Sequence, residues 1–370
     1  MTTAIRWVGL LACASLATSA HAQKSAPKQG PPAGPCTTIA PSCTEWVASP
    51  AGPSRLLVYR SHALTRPNPA ITRAFILVHG MGRDAHNYFR HALAAAFLAG
   101  QLDSAIIISP RFASNDGRSC RDSLAAGEAN WGCGGAGRWT AGGVAADGSK
   151  LTSFDITDDL LKLLARKDVF PNLSAIFVAG HSAGGQFVQR YAMANQVHDQ
   201  LGVPVTYIVG NPSSYAYLDS LRPSVSAVPR TVAALPPGYQ EPLPANPPLP
   251  FIRYSDANSC TTYDKWPTGL NERSGYAARL TDDQLKKQLA SRSVIYLLGG
   301  YDILPLFGFD SSCPAMAQGQ TRMARGLAFQ RYVNELYGAK HQAVPVPSCG
   351  HNGRCMFTSE EALAIIFRRK

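Results

Sequence analysis

The residues with the clearest chemical meaning form the pentapeptide GHSAG at 180–184, which has Ser182 at its centre. The apolar run 175–179 before it predicts a buried strand, and the pattern over 185–199 after it predicts a helix. A serine at such a turn projects its hydroxyl above the sheet, where the N–H groups of the helix start favour negative charge. Glycines two residues to either side avoid a collision with neighbouring backbone. We therefore predict that Ser182 is a nucleophile that attacks a carbonyl carbon.

A nucleophilic serine needs a base to take its proton and an acid to orient that base. Asp302 follows the apolar run SVIYLLG, and His351 follows the last predicted strand, AVPVP. Taken singly, Asp302 is typical of a turn and His351 of a surface loop. His351 is the only histidine after the final predicted strand, and Asp310 is the alternative acid. We expect Ser182, Asp302 and His351 to form a catalytic triad.

The tetrahedral intermediate of such a reaction needs two N–H donors aimed at its oxyanion. One belongs to the residue after the nucleophile, here Ala183, and the other to the loop after an early strand. The early strand AFILV is followed by HGMG at 79–82, and we assign the second donor to Met81. His79 and His181 lie at strand-end turns, where histidines more often make structural hydrogen bonds. We expect that role for both.

These motifs, in this chain order, resemble the α/β-hydrolase superfamily over roughly residues 55–368. Within it, the secreted esterases, lipases and polyester-degrading enzymes look most similar. The resemblance implies an α/β-hydrolase fold and is unspecific for substrate. The loop HGMG departs from the HGGG of the group that favours bulky or tertiary-alcohol esters, which argues against that group.

The triad implies acyl transfer in two steps, in which His351 deprotonates Ser182, Asp302 holds the imidazole, and water later releases the acyl group. This chemistry requires no metal and no organic cofactor. We predict an exported serine hydrolase that cleaves a small-molecule or polymeric carboxylic ester. A secreted serine peptidase of the same fold is the alternative, and a noncatalytic binding protein with this fold is a further one.

The elements that must position these residues follow a regular alternation of short apolar runs and longer helical patterns. Strands are predicted at 74–78, 104–108, 175–179, 206–209, 294–298 and 343–346, and helices at 86–100, 153–167, 185–199, 282–291 and 318–337. The strands are almost wholly apolar, as expected when both faces are buried. The fold class is therefore α/β, with a mostly parallel central sheet flanked by helices and antiparallel edge strands within 44–60.

Two stretches interrupt this alternation. Residues 111–150 are rich in glycine, and residues 211–290 hold a proline-rich and then an aromatic segment. Long loops in a compact domain are usually functional or disordered, and we interpret 211–290 as a cap-like insertion. Eight aromatic residues in these loops and near the early strand hint at an apolar or aromatic substrate: Tyr88, Phe89, Trp131, Trp139, Tyr215, Tyr217, Tyr263 and Trp266.

The N-terminal residues indicate export. Arg6 precedes a short apolar run, and Ala20-His21-Ala22 matches an A-x-A cleavage site, so 1–22 is predicted to be a signal peptide. The run is too short to span a bilayer stably. A secreted or periplasmic protein follows, with a lipoprotein anchored at Cys13 as the minor alternative. Residues 23–35 have the composition of a flexible lead-in, and 36–370 would be the catalytic domain.

Cysteine usage agrees with export, because eight cysteines remain after residue 22. Three neighbouring pairs would close short local loops, and the fourth follows by elimination. The expected pairs are Cys36 with Cys43, Cys120 with Cys133, Cys349 with Cys355, and Cys260 with Cys313. Some could instead be buried free thiols, whereas a zinc site is disfavoured because no C-x-x-C spacing occurs.

The overall composition is that of a folded, rather neutral-surfaced protein. Of the 370 residues, 45% are hydrophobic and 16% charged, which excludes wholesale disorder. The formal net charge is +11, but the basic residues are scattered, which argues against a nucleic-acid partner. The sequence leaves the oligomeric state open.

Overall fold

The computed structural model describes residues 1–2, 34–133, 138–224, 250–306 and 308–368. The fold belongs to the unit Ala33–Lys370, whereas the unit Met1–Pro32 lies almost entirely outside the described residues. The same holds for the predicted signal peptide and for most of the predicted lead-in. Residues 225–249, the proline-rich part of the predicted insertion, also lie outside them.

A sheet of eight strands occupies the centre of the described residues, and two further strands pair separately. In chain order the strands are β1 (Thr44–Ser49), β2 (Gly52–Arg60), β3 (Arg73–Val78), β4 (Ala105–Pro110), β5 (Ala175–His181), β6 (Val205–Gly210), β7 (Leu221–Pro223), β8 (Phe251–Arg253), β9 (Ser293–Gly299) and β10 (Gln342–Val346). The order across the sheet is β1-β2-β4-β3-β5-β6-β9-β10. The six strands from β4 to β10 in that order run parallel to one another. Strand β2 pairs antiparallel with β4 on one side and with β1 on the other. The predicted α/β architecture and its antiparallel edge are confirmed.

Eight α-helices accompany the strands within the described residues. They are α1 (Ala85–Leu98), α2 (Ser153–Leu164), α3 (Ala183–Ala194), α4 (Asp282–Ser291), α5 (Cys313–Met316), α6 (Arg322–Tyr337), α7 (Gly353–Thr358) and α8 (Glu360–Phe367). The predicted strands and helices all occur, with ends shifted by a few residues. Helices α5, α7 and α8 and the pair β7/β8 were not predicted, because they are too short for a periodic signal.

Helix ends follow local side-chain chemistry. Helix α2 begins with a capping box, in which Thr152 accepts from the N–H of Asp155 and the Asp155 carboxylate accepts from the N–H of Thr152. Helix α6 begins at residue 322 and not at the predicted 318, because Thr321 accepts from the N–H of Ala324 and so sets its first turn. Gly338 ends the same helix at φ 66°.

Alternation along the parallel strands divides the core into two layers. On β3, Ala74 and Ile76 face one layer, which contains residues of α2, α3, α4 and α6. Phe75 and Leu77 face the other layer, with residues of α1, α7 and α8. Because successive side chains point to opposite faces, an all-apolar strand is what a sheet covered on both sides requires.

The strand order reverses at β3, since β4 lies on one side of it and β5 on the other. At such a switch point the loops after neighbouring parallel strands diverge and leave a crevice at the carboxyl edge of the sheet. The loop after β3 carries HGMG, and the turn after β5 carries Ser182. The topology therefore brings the two predicted parts of the site to the same crevice.

The described parts of the predicted insertion pack on the main core. Strands β7 and β8 pair antiparallel, and Tyr276 and Trp266 belong to the same core layer as α2 and α3. Trp266 donates from its indole N–H to the carbonyl of Ala141, 3.2 Å away. Contrary to the hint from the sequence, the eight loop aromatics do not present their side chains to a substrate. Their side chains are at most 8% exposed and belong to the core.

Four disulfides join the eight cysteines in the pairs expected from their spacing. These are Cys36–Cys43, Cys120–Cys133, Cys260–Cys313 and Cys349–Cys355. Each bridge spans a Cα–Cα distance of 5.5 to 6.0 Å, within the usual range for disulfides. The Cys260–Cys313 bridge ties the segment before Trp266 to α5. Within the described part of the chain, no helix has the length and apolarity to cross a bilayer.

Candidate active site

Ser182 occupies a sharp turn between β5 and α3. Its backbone has φ 59° and ψ −118°, a conformation that a non-glycine residue adopts only where the surroundings impose it. A Cβ added at Gly180 would lie 2.3 Å from the carbonyl oxygen of Gly184, and one added at Gly184 would lie 2.3 Å from that of Val78. Both glycines are therefore required for the close packing of turn, helix and β3, as predicted.

The turn is also fixed by its backbone hydrogen bonds. The N–H of Ser182 donates to the carbonyl of Gly210 at the end of β6, 2.9 Å away. The carbonyl of Ser182 accepts from the N–H of Gln186 in the first turn of α3, at 3.0 Å. The residue is partly exposed, while Ala183 next to it is 4% exposed. Ser182 thus lies at the crevice, at the N-terminus of a buried helix.

His351 and Asp302 meet at the same edge of the sheet. The Nδ1 atom of His351 lies 2.6 Å from Oδ2 of Asp302, and the two side chains are 7% and 2% exposed. The N–H of Asp302 donates to the carbonyl of Gly299, which places the carboxylate directly after β9. Asp310, the alternative acid, accepts from the N–H of Ser312 in a local turn. The geometry thus joins His351 to Asp302.

The loop that carries His351 is attached to the ends of two strands. Asn211, directly after β6, accepts from the N–H of Gly299 at 2.8 Å and donates from Nδ2 to the carbonyl of Gly350 at 3.2 Å. The N–H of Tyr301 donates to the carbonyl of Cys349. Asn211 was missed by sequence reasoning. In the sequence, Asn211 is marked only weakly, as an asparagine directly after a predicted strand. Its burial and its φ of 43° come from the structure.

His181 connects the serine turn to the histidine loop. Its ring centroid lies 4.6 Å from that of His351, and its Nδ1 lies 3.1 Å from the hydroxyl of Tyr88 on α1. Burial, together with the charges of His351 and Arg322, lowers the pKa of His181 far below its usual range. His181 is therefore neutral at ordinary pH, which agrees with the predicted structural role.

His79 fixes the loop after β3. Its Nε2 accepts from the N–H of Phe112, so the proton is on Nδ1, which donates to the carbonyl of Gly80. Burial lowers the pKa of His79 to about 4, and its ring packs 4.8 Å from that of Trp139. The imidazole is neutral and holds the backbone just before Met81, whose side chain is 51% exposed.

A buried arginine also contacts the predicted acid. The NH1 atom of Arg322, the first residue of α6, lies 3.0 Å from Oδ1 of Asp302, and the two side chains are 0% and 2% exposed. Nothing in the sequence marks this residue, since Arg322 is separated from Asp302 by 20 positions and lies in a helix with other basic residues. Only the fold brings the two charges together.

Comparison with known proteins gives the family. The profile of the alpha/beta hydrolase family matches residues 75–365, most of the chain. The chain belongs to the alpha/beta hydrolase family. Among curated proteins, none matches the sequence. The family model spans β3 to α8 and therefore includes Ser182, Asp302 and His351.

Two solved structures share the fold. Poly(aspartic acid) hydrolase-1 from Sphingomonas sp. KT-1 is 17% identical and superposes with a TM-score of 0.53, over 88% of this chain and 98% of the other. LpqC, a poly(3-hydroxybutyrate) depolymerase from Bordetella parapertussis, is 18% identical with a TM-score of 0.50, over 85% and 89%. These likenesses establish the fold alone, because one fold hosts many unrelated functions.

Proposed function

We propose that this alpha/beta hydrolase is an exported serine esterase, in which Ser182, His351 and Asp302 hydrolyse a carboxylic ester through an acyl-enzyme. The observation that supports it most is the contact of 2.6 Å between His351 Nδ1 and Asp302 Oδ2. Ser182, the proposed nucleophile, lies at φ 59° in the turn after β5. An imidazole held at Nδ1 by a carboxylate presents Nε2 as a base. The contact between the rings of His181 and His351 supports the proximity of that base to the serine turn.

In the proposed reaction, His351 takes the proton of Ser182 as the hydroxyl attacks the ester carbonyl. The oxyanion is stabilised by the N–H groups of Met81 and Ala183, which flank the crevice at the ends of β3 and β5. His351 then gives its proton to the leaving alcohol. In the second step His351 deprotonates a water molecule that attacks the acyl-enzyme, and it returns that proton to the oxygen of Ser182 as the acid leaves. Asp302 holds the imidazole and stabilises its charged form. Each step balances with water as the only co-reactant.

An apolar ester is the favoured substrate. Three large apolar side chains are well exposed in the loops that carry the proposed site: Met81 at 51%, Tyr301 at 44% and Leu306 at 50%. Side chains of this kind bury the apolar parts of a small molecule or of a polyester chain. The secreted peptidase remains the alternative, because the same triad also cleaves amides.

Export is part of the proposal. Four disulfides within one domain are typical of an oxidising compartment, and the sequence before residue 23 has the pattern of a cleaved leader. Mature protein that begins near Gln23 in a culture supernatant or periplasmic extract would support export. A lipidated N-terminus at Cys13 would point to the anchored form instead.

The experiment that tests the function is covalent labelling of Ser182. We expect a fluorophosphonate probe to label the wild-type protein at this residue and Ser182→Ala to remain unlabelled and folded. The variant should keep only a residual rate acceleration of about 10³- to 10⁴-fold over the uncatalysed reaction in water, because oxyanion stabilisation and substrate binding still act. Full turnover in the variant, or labelling at another serine, would show that the nucleophile is wrong.

Substrate class is tested on the same protein with matched chromogenic compounds. We expect hydrolysis of p-nitrophenyl acyl esters, preferably with longer acyl chains, and little hydrolysis of the corresponding aminoacyl p-nitroanilides. Ser182→Ala is the control for both assays. A clear preference for the amide would replace the esterase by the peptidase.

A further inference from the structure

The predicted triad acid has a second charged partner. In the triad as generally described, the carboxylate is buried and hydrogen-bonded to the imidazole that it orients. Here Oδ2 of Asp302 contacts the imidazole of His351 and Oδ1 contacts the guanidinium of Arg322, so one carboxylate bridges the two side chains. Because all three side chains are at most 7% exposed, solvent screens these contacts little.

Arg322 is held rigidly. Its Nε donates to Oγ of Ser213 at 3.0 Å, and NH2 donates to the carbonyl of Leu306 at 3.0 Å. The guanidinium also lies over the ring of Phe309, 5.3 Å from its centroid. Arg322 is also the first residue of α6, and Thr321 caps the start of that helix. Arg322 therefore links the loop after β6, the loop after β9 and α6 at the Asp302 carboxylate.

Resting on the proposed function, we infer that Arg322 is a positioning residue of the triad: its guanidinium keeps Asp302 ionised and aimed at His351. Burial opposes the charge of a carboxylate, and a cation at 3.0 Å compensates that cost. With Arg322 in place, His351 is not the sole compensation for the buried anion. The imidazole can then be neutral, as a base must be, at lower pH.

Removal of Arg322 changes this balance in one direction. The buried carboxylate would draw its compensation from His351, which favours the protonated imidazolium, or would itself become protonated. Either outcome leaves less of the base form with an ionised acid. The limb on which kcat/KM rises with pH should therefore move to higher pH.

Other titratable and charged groups surround His351. The ring of His181 contacts it from the end of β5, and Tyr88 and His91 of α1 lie behind His181. Arg354 of α7 follows along the chain. Burial keeps His181 neutral and lowers the pKa of His91. A substitution at 322 removes one of the charges that lower the pKa of His181, but burial, the largest cause, remains.

The test compares pH profiles of kcat/KM for an activated ester in wild type, Arg322→Gln and Arg322→Lys. We expect Arg322→Gln to move the rising limb up by about one pH unit or more and to lower kcat/KM near neutral pH at least about tenfold. Arg322→Lys restores the charge without the planar fork and should fall between the two.

Arg325 provides the matched control. It lies one helical turn further along α6, is equally buried, and its guanidinium lies 4.4 Å from the same Phe309 ring. It donates to the carbonyls of Ser213 and Gly319, and not to a carboxylate. Arg325→Gln should lower the melting temperature and leave the pH limb where it is. If the rising limb of the kcat/KM profile also stays at the same pH in Arg322→Gln, the inference is overturned.

A double-mutant cycle excludes an indirect effect through folding. Asp302→Asn removes the charge that Arg322 compensates, and the double variant Asp302→Asn/Arg322→Gln is neutral at both positions, which avoids a lone buried charge. In the Asp302→Asn background, Arg322→Gln should change kcat/KM by less than about threefold. A full tenfold loss in that background would show that Arg322 does not act through Asp302.

Failure of the inference is distinguishable from failure of the function. Normal fluorophosphonate labelling of Ser182 with unmoved pH limbs rejects the role of Arg322 alone. If the wild-type protein is not labelled at Ser182, the proposed hydrolase is rejected, and the role of Arg322 with it.

Discussion

At the scale of single residues, the site depends on which carboxylate reaches the imidazole. Asp302 and Asp310 lie in the same loop after β9, and spacing alone gives only a preference. The hydrogen bond from the N–H of Asp302 to the carbonyl of Gly299 keeps Asp302 next to the strand end. Asp310 is used in a turn with Ser312. The path of the backbone after β9 therefore brings Asp302, and not Asp310, to the imidazole of His351.

This selection predicts different effects of two conservative substitutions. Asp302→Asn should lower kcat about 10³- to 10⁴-fold, because the amide can favour the wrong imidazole tautomer and leaves the imidazolium unstabilised. Asp310→Asn is the matched control and should keep kcat within about twofold. Steady-state kinetics on one ester, with circular dichroism as a check of folding, measures both. The reverse pattern would transfer the role of the acid to Asp310.

At the scale of elements, the loop from β10 to α7 carries His351, the proposed base, between two bridged cysteines. Cys349 and Cys355 are 6 positions apart, and Gly350 and Gly353 flank His351 between them. A loop with two glycines is flexible by itself, whereas a catalytic group must be held within about half an ångström. Asn211 and the disulfide hold the two ends of this segment.

We expect removal of this disulfide to affect catalysis as well as stability. Cys349→Ser/Cys355→Ser should lose about 2 to 3 kcal/mol of unfolding free energy, the chain-entropy value for a short loop. Its kcat should fall clearly at a temperature well below the melting point, because the imidazole becomes mobile. The Cys36→Ser/Cys43→Ser variant, which removes an equally local bridge remote in sequence, should lose stability only. Unchanged kcat in a folded Cys349/Cys355 variant would contradict the idea.

At the scale of the whole molecule, a buried carboxyl joins the scaffold to the described part of the insertion. Asp158 of α2 accepts from the hydroxyl of Tyr191 on α3 at 2.7 Å and from that of Tyr276 in the insertion at 2.5 Å. Burial, partly offset by these two hydroxyl groups, raises the pKa of Asp158 to about 7. Helix α3, which follows Ser182, and the predicted insertion thus share one proton-dependent contact.

The sign of the pH dependence follows from this shift. Between about pH 4, the ordinary value for an unfolded aspartate, and about 7, the folded state binds the proton and the unfolded state does not. Stability from Asp158 is therefore present below that window and is lost as pH rises through it, by about 4 kcal/mol in total. The buried His79 acts in the opposite sense, because its lowered pKa favours folding as pH rises.

Comparison with Asp158→Asn isolates the contribution of this carboxyl. The difference in unfolding free energy between wild type and variant should shift in favour of the variant as the pH rises from about 4 to 8. Urea denaturation at several pH values, followed by tryptophan fluorescence, measures it. A difference that does not depend on pH would show that Asp158 has an ordinary titration in the folded protein.

The sequence by itself determined the class of the fold and the identity of the serine and histidine candidates. All-apolar runs alternating with helical periods require a sheet covered on both faces, and GHSAG between strand and helix requires the turn found at Ser182. These are local properties, because strand burial, turn sterics and the start of a helix are set by residues close together in the chain. Cysteine spacing is similarly local, and its pairs agree with the structure.

Only the tertiary structure decided which distant residues meet. Asn211 and His181 reach the His351 loop from the ends of β6 and β5, and Arg322 of α6 reaches Asp302 after β9. No spacing along the chain encodes those contacts. The loop aromatics likewise proved to be core, because burial depends on how the layers pack and not on the polarity of neighbouring residues. Long-range packing thus decided how the base is held and which side chains face the crevice, since both depend on surfaces that exist only after the sheet has formed.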